Sequence, residues 1–179
     1  MKVMKIFSLF LFFLILSSCS AEQQNQVKQN NSSWVFLEMG NEKLNLKEYS
    51  LAIEYYSKAI EIDSKFALAY MNRAIAKGYI EDYMGAIQDL NVAIELNPKK
   101  AEAYYSRGLA KHIFQDYRGA ISDYTKAIEI DPNHARAIFN RANSRHSIHD
   151  YRGACSDWSR AGELGIAEAY DYIRRICNN

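Results

Sequence analysis

Two cysteines near the C-terminus are the side chains whose spacing points most directly to a covalent bond. Cys155 lies ten residues before the turn indicated by Gly165, and Cys177 lies twelve residues after it. Because two helices joined by a turn run side by side, residues at similar distances from the turn lie opposite one another. The spacing therefore predicts a Cys155–Cys177 disulfide, for which the alternative is a pair of buried free thiols.

The third cysteine, Cys19, follows a short apolar segment at the N-terminus. Lys2 and Lys5 flank the start of an apolar run over residues 6–16, which is too short to span a bilayer comfortably and is typical of a signal peptide. The letters LSSC at residues 16–19 resemble the lipobox of bacterial lipoproteins. The alternatives are a permanent transmembrane anchor and an ordinary signal peptide in which the cysteine stands by chance.

The lipobox resemblance implies a lipid anchor. In that family the signal peptidase cleaves just before the cysteine, so residues 1–18 would be removed as a lipoprotein signal peptide and Cys19 would receive a diacylglycerol. Ser20 resembles an outer-membrane address in the enterobacterial sorting rule, which predicts lipid anchoring in the outer membrane of a bacterial envelope. Residues 19–32 are rich in Gln, Asn and Ser and predict a disordered polar tether.

The remaining reactive residue types do not form a catalytic or metal-binding motif. There are four histidines, and no carboxylate or cysteine is placed to complete a metal site around them. The sequence contains no Gly-rich phosphate loop and no nucleophile motif. The net charge of +1 gives no field that favours nucleic acid. We therefore expect no enzyme activity, cofactor, metal, small-molecule substrate or nucleic-acid partner.

Arginines and aspartates recur together with a spacing of 34 residues. Each aspartate follows its arginine by 16 residues, in the pairs Arg73 and Asp89, Arg107 and Asp123, and Arg141 and Asp157. One period earlier both residues change together, to Met39 and Tyr55. In an antiparallel helix pair the two positions lie level, so we predict an ion pair inside each of three repeats. The alternative is that the charges are independent and lie on the surface.

The same period organises most of the chain into four ungapped blocks, 33–66, 67–100, 101–134 and 135–168. The apolar spacing within each block is helical and predicts two helices. Small residues occur at block positions 8, 20 and 27, and large ones at positions 4, 17 and 24, so that the two helices can approach closely. Acidic residues at position 16 can cap the second helix of each block: Glu48, Asp82, Asp116 and Asp150.

This large-and-small pattern resembles the tetratricopeptide repeat family. The resemblance implies an all-α, right-handed solenoid of four helix pairs. A helical array needs a final helix with a polar outer face. Residues after Gly165 have apolar side chains at helical spacing, and we expect them to form this C-terminal capping helix, which ends within residues 169–179.

The family resemblance also implies a concave groove that is lined by the first helix of each block, at positions 2, 5, 9, 12 and 13. The residues carried over are Leu37, Asn41, Met71, Ile75, Tyr79, Tyr105, Leu109, His112, Phe139, Asn143 and His146. Such a groove is apolar with little charge and suits an amphipathic helix or an extended peptide of another protein. The alternative for the position-5 residues Leu37, Met71, Tyr105 and Phe139 is packing between neighbouring blocks.

Two charged features argue against an acidic ligand. One subtype of the family grips a C-terminal carboxylate with a Lys/Asn/Arg clamp, but the matching residues here are Leu37, Asn41, Asn72, Glu102 and Ser106, without a basic side chain. A basic row at position 11 consists of Lys43, Lys77, Lys111 and Arg145. This row favours a solvated or salt-bridged helix face over a docking site for an acidic partner.

Together these features predict a scaffold or adaptor for protein–protein interaction, tethered to a bacterial membrane through its N-terminal lipid. One alternative is a structural subunit of an envelope assembly that associates with copies of itself as a homo-oligomer. An accessory module of an enzyme complex is less favoured, because the four blocks occupy nearly the whole chain after residue 18.

Overall fold

The computed structural model describes residues 31–177, which form helices joined by short turns and contain no strand. Helix α1 covers residues 31–45. The helices that follow are α2 (Tyr49–Ile62), α3 (Ala67–Tyr79), α4 (Tyr83–Leu96), α5 (Ala101–Ile113), α6 (Tyr117–Ile130), α7 (Ala135–Ser147), α8 (Tyr151–Glu163) and α9 (Glu168–Tyr172), with a π-helical segment at Ile173–Cys177. The predicted signal peptide, Cys19 and most of the predicted tether lie outside the described residues.

Consecutive helices pack as antiparallel pairs, and each pair packs on the next. Helix α3 lies on α4, α5 on α6 and α7 on α8, while α2 contacts α3, α4 contacts α5 and α6 contacts α7. This order of contacts confirms the predicted all-α solenoid. Within the described residues, no helix is both long and apolar enough to cross a bilayer.

Short turns separate the two helices of each pair. The residue before the second helix's cap has a positive φ in every pair, at Lys47, Glu81, Gln115 and His149. Three aspartates then accept a hydrogen bond from a backbone N–H three residues later, namely Asp82, Asp116 and Asp150. The predicted cap at Glu48 is wrong: its side chain makes no cap hydrogen bond and instead pairs with Lys43 at 3.0 Å.

Asn31 and Ser32, predicted in the tether, belong to α1, since no proline or glycine stops the helix there.

The core is built from small residues that face large ones. The alanines at block positions 20 and 27 are all buried, in every block. Tyr56, Tyr124 and Trp158 fill the space between them and are also buried. A Cβ atom placed on Gly108 would lie 2.8 Å from the Tyr124 ring, so the glycine is what admits the aromatic side chain.

Each of the three aspartates at position 23 is buried between two cations. Arg107 donates from Nε and Nη2 to the two carboxylate oxygens of Asp123, at 2.9 and 2.6 Å, and Lys111 Nζ lies 2.8 Å from the same group. Arg73 with Lys77 surrounds Asp89, and Arg141 with Arg145 surrounds Asp157, in the same way. The basic row at position 11 is therefore salt-bridged in these three blocks.

The same arginines also reach the preceding helix pair. Arg107 Nη1 donates to Asn91 Oδ1 at 2.8 Å, and Arg73 and Arg141 make equivalent bonds to Ser57 and Thr125. One guanidinium thus connects the two helices of its own pair and the second helix of the pair before. Since the fork of donors has a fixed geometry, this contact sets how far each pair is shifted along its neighbour.

The C-terminal helix closes the array. A disulfide joins Cys155 on α8 to Cys177, with 5.8 Å between the Cα atoms. Tyr172 stacks on Trp158 with 4.9 Å between ring centroids and meets Phe139 edge-on at 5.7 Å. The capping segment is less regular than the sequence indicates, because its last turn is π-helical where it brings Cys177 to Cys155.

We expect the Asp123→Asn substitution to lower the free energy of unfolding by about 3 kcal/mol, because it leaves Arg107 and Lys111 side by side without their counter-charge. Urea denaturation measures this difference. The matched control is Glu129→Gln, which removes one partner of an exposed pair with Lys126 and should leave the stability nearly unchanged. Strict additivity of Arg107→Met and Asp123→Asn in a double-mutant cycle would contradict the interaction.

Candidate partner-binding groove

An apolar groove of about 260 Å³ lies between the second and third helix pairs. Helix α3 contributes Ala74, Ile75, Gly78 and Tyr79, helix α4 contributes Tyr83, Ala86 and Leu90, and helix α5 contributes Ser106, Leu109, Ala110 and Ile113. No charged side chain is among these lining residues. The groove can therefore accept apolar or aromatic groups but offers no counter-charge to an ionic ligand.

The rim of the groove exposes apolar surface to solvent. Tyr79 is 61% exposed, Ile113 is 46% exposed and Leu109 is 39% exposed. The Tyr79 ring is held by stacking on Tyr49, with 4.6 Å between centroids and 8° between the ring planes. Because this stacking holds the Tyr79 ring, its apolar surface is available without prior rearrangement.

Three of the predicted groove residues, Ile75, Tyr79 and Leu109, line this groove. Two others are buried and do not line it. Leu37 is fully buried against α2 and α3, and Met71 is buried in the cluster around Leu90. Their predicted role as groove residues is corrected, because position 5 on these helices points at the neighbouring pair rather than into the concave surface.

The remaining position-5 residues also pack between helix pairs. Tyr105 contacts the ring of His134 at 4.9 Å and accepts a hydrogen bond from Asn140 at 3.3 Å. Burial raises the pKa of Tyr105 above its ordinary value. Phe139 lies against Tyr172 of the capping segment. Position 5 thus follows the alternative of inter-repeat packing, and these two side chains are only partly accessible.

The two asparagines at position 9 serve as partners for buried aromatic residues. Asn41 Oδ1 accepts hydrogen bonds from the Tyr56 hydroxyl and from Asn72, both at 2.9 Å. Asn143 Oδ1 accepts one from Trp158 Nε1 at 3.0 Å. These hydrogen bonds tie both asparagines to buried aromatic side chains, so the asparagines support the scaffold behind the groove.

Leu109 occupies position 9 in the third block and breaks this pattern. The hydroxyl of Tyr124, which corresponds to that of Tyr56, is buried without a hydrogen-bond partner in the part of the chain that the structure describes. Burial raises the pKa of Tyr124, and it raises the pKa of Tyr56 to about 12. Leu109 therefore keeps the groove wall apolar but leaves the buried hydroxyl of Tyr124 without a hydrogen bond among the described residues.

The two predicted groove histidines contact their own and neighbouring repeats. His112 Nδ1 lies 2.8 Å from Ser144 Oγ, and burial lowers the pKa of His112. Because Ser144 Oγ donates to a backbone carbonyl, the imidazole Nδ1–H is the donor in this contact. His146 packs against Tyr151 and Trp158. No group of three potential metal ligands occurs within residues 31–177.

Several groove residues were not predicted from the sequence. Tyr83, Ala86 and Leu90 belong to the second helix of a pair, whereas the family pattern places groove residues on the first helices. Gly78 lies at block position 12, which the family pattern assigns to the groove, and it departs from the leucine or histidine of the other three blocks. That departure from the repeat falls where small residues line the groove.

Comparison with protein-family models gives matches of one type. A model described as tetratricopeptide repeat matches residues 33–66 and 101–134, a second described as TPR repeat matches 80–112, and a third described as tetratricopeptide repeat matches 123–156. Together these matches cover more than half of the chain. A comparison with functionally characterised proteins gave no significant match.

Solved structures with a similar fold include three that are informative. The first TPR of Spaghetti (RPAP3) bound to the HSP90 peptide SRMEEVD is 28% identical, with a TM-score of 0.66, and the match covers 67% of this chain and 95% of that one. A crystal structure of MamA is 27% identical, with a TM-score of 0.72 and coverages of 83% and 86%. The Sgt2 TPR domain from Aspergillus fumigatus is 29% identical, with a TM-score of 0.63 and coverages of 67% and 81%.

We expect Tyr124→Phe to raise the free energy of unfolding by about 1 kcal/mol, because it removes a buried hydroxyl that no described group satisfies. The control is Tyr56→Phe, which should lower it by about 1 kcal/mol, since it deletes the bond to Asn41. Thermal and urea denaturation measure both. Equal destabilisation by the two substitutions would show that the Tyr124 hydroxyl is satisfied in solution.

Proposed function

Because the chain belongs to the tetratricopeptide repeat family, we propose that it is a protein-interaction module that holds an apolar segment of another protein in the groove between its second and third helix pairs. The observation that carries this proposal is the uncharged groove with an exposed apolar rim at Tyr79, Leu109 and Ile113. Solvent-exposed apolar surface of this kind typically marks an interaction site.

The partner segment is a polypeptide of low charge. A solved relative is described as bound to an HSP90 peptide, which supports peptide binding by this fold. That peptide, SRMEEVD, is acidic, whereas Lys77 and Lys111 of this chain are each bound to a buried aspartate. The groove itself contributes no cation to receive an acidic side chain. Apolar contact therefore determines which partner segment the groove binds, in agreement with the missing carboxylate clamp.

The module acts close to a membrane. The lipobox resemblance at residues 16–19 supports lipidation of Cys19 and anchoring in a bacterial envelope, with the outer membrane as the expected location. Multiple acyl chains on one cysteine give stable anchoring, whereas a single chain is marginal. A polar tether of this length spans roughly 20 Å when flexible, so the groove would sample partners near the membrane surface.

A second candidate function is self-association through the N-terminal end of the solenoid. At position 3, the other three blocks carry an alanine that is buried against the preceding pair. Helix α1 has Val35 there, which is 58% exposed, beside exposed Trp34 and Met39. The same face also carries Glu38 and Glu42, and a second copy of the chain is the partner that we consider for it. Gel filtration of residues 19–179 separates such a dimer from a monomeric adaptor.

The groove is tested by replacing Leu109 with a photo-crosslinking amino acid in living cells. We expect an adduct with another protein that is abolished by Tyr79→Asp on the opposite rim, because a charge there cannot be neutralised. The matched control is Met84→Asp, which puts the same charge on an exposed apolar residue outside the groove and should leave the adduct intact. The proposal is contradicted by an adduct that survives Tyr79→Asp. It is also contradicted if the crosslinker at residue 109 gives no adduct in the otherwise unchanged protein.

The anchor is tested by detergent phase partitioning of the full chain expressed in a bacterium. The parent protein should enter the detergent phase and show the mass of an acylated N-terminal cysteine, while Cys19→Ser should carry no acyl mass and should keep residues 1–18. Ser20→Ala serves as the control, since it leaves the acylated residue in place. A parent protein found in the aqueous phase would remove membrane tethering from the proposed function without affecting the groove.

A further inference from the structure

The groove exists because one repeat lacks a side chain that the other repeats supply. At block position 12 the chain carries Leu44, Gly78, His112 and His146. Leu44 packs on the core cluster of the first pair, and His146 packs on Tyr151 and Trp158. In the other three repeats the side chain at position 12 therefore packs against its own helix pair.

His112 shows which surfaces that side chain normally covers. Its ring meets Tyr117 at 5.2 Å, and its Nδ1 lies 2.8 Å from Ser144 in the next block. One period earlier, the corresponding residues are Tyr83 and Ala110, and both line the groove beside Gly78. The groove thus contains the space that a position-12 side chain would occupy.

Nothing in the backbone requires a glycine at residue 78. It lies within helix α3, and the only glycine with positive φ in the described residues is Gly165. A Cβ atom built on Gly78 meets no atom within 4 Å, so no neighbour excludes a larger residue. Since glycine is the poorest helix former after proline, its presence here lowers helix stability without a packing reason. Glycine also permits close approach of another molecule to the backbone.

The chemistry of the vacant position is apolar. Tyr83, Leu109 and Ala110 line it, together with the uncharged residues Tyr79 and Ser106. The nearest cation in sequence, Lys77, is directed away to Asp89 at 2.8 Å. A volume of about 260 Å³ falls below the roughly 300–1,000 Å³ of sites for whole small molecules. It matches a single large side chain.

We propose that the partner inserts one uncharged apolar or aromatic side chain into the space beside Gly78, where it takes the place that His112 or Leu44 fills in the other repeats. This inference rests on the proposed function of the groove and names the group that the groove recognises. Gly78 is then the residue that determines specificity, because its missing side chain creates the receptor site, while the aromatic walls select against charge.

The experiment uses residues 19–179 immobilised through Cys19 and a phage-displayed library of random peptides as the probe. Recovered peptides are expected to share one large uncharged side chain. Gly78→Leu should weaken their binding by about tenfold or more, because the new side chain occupies the site. The Gly78→Leu protein should melt no lower than the parent, since leucine favours helix more than glycine. Ala167→Leu, which adds leucine to an exposed site at the far end, should leave binding unchanged.

The outcomes separate this inference from the function on which it rests. Peptides whose binding is lost with Leu109→Asp but kept with Gly78→Leu would retain the groove and overturn the Gly78 site. Peptides insensitive to both substitutions, or a library that yields no binder, would overturn both. A consensus centred on an acidic residue would also overturn the inference, because the walls beside Gly78 carry no cation.

Discussion

Close approach of helices at small residues is the constraint on which the rest of the structure depends. In the second helix of each pair, buried alanines at two positions let the backbones come near one another, and large side chains close the gaps that remain. The buried Arg–Asp contacts then fix the shift between pairs, which apolar packing alone specifies weakly. With both devices repeated at a period of 34 residues, the surface between two pairs is rigid enough to present a shaped groove.

The groove departs from these rules at two positions, and both departures cost local stability. Gly78 weakens a helix that leucine or histidine would strengthen, and Leu109 leaves the Tyr124 hydroxyl without the partner that an asparagine gives Tyr56. The two exceptions line the same apolar cavity, Gly78 from α3 and Leu109 from α5. Natural chains break local consistency mainly where function demands it, so the coincidence of the two exceptions supports the groove as the working surface.

The fold could be predicted from the sequence because its determinants are local and are repeated four times. Helix spacing, the aspartate caps and the level placement of Arg107 and Asp123 all follow from short-range geometry. The groove was harder to locate, because it depends on which face of each helix meets the next pair. Leu37 turns inward while Leu109 stays accessible, although both lie on first helices. Tyr83 and Leu90 enter the groove from a second helix, which a rule confined to first helices cannot include.

The disulfide between Cys155 and Cys177 makes the two ends of the solenoid unequal. A linear array is held only by contacts between neighbours, so it opens from its ends. The capping segment cannot separate from α8 while the covalent bond is intact. The described residues of the first pair have no such link, and Met39 and Tyr55 replace the ion pair found in the other three. The first pair is therefore expected to separate from the array before the capping segment does, and it directly precedes the two pairs that form the groove.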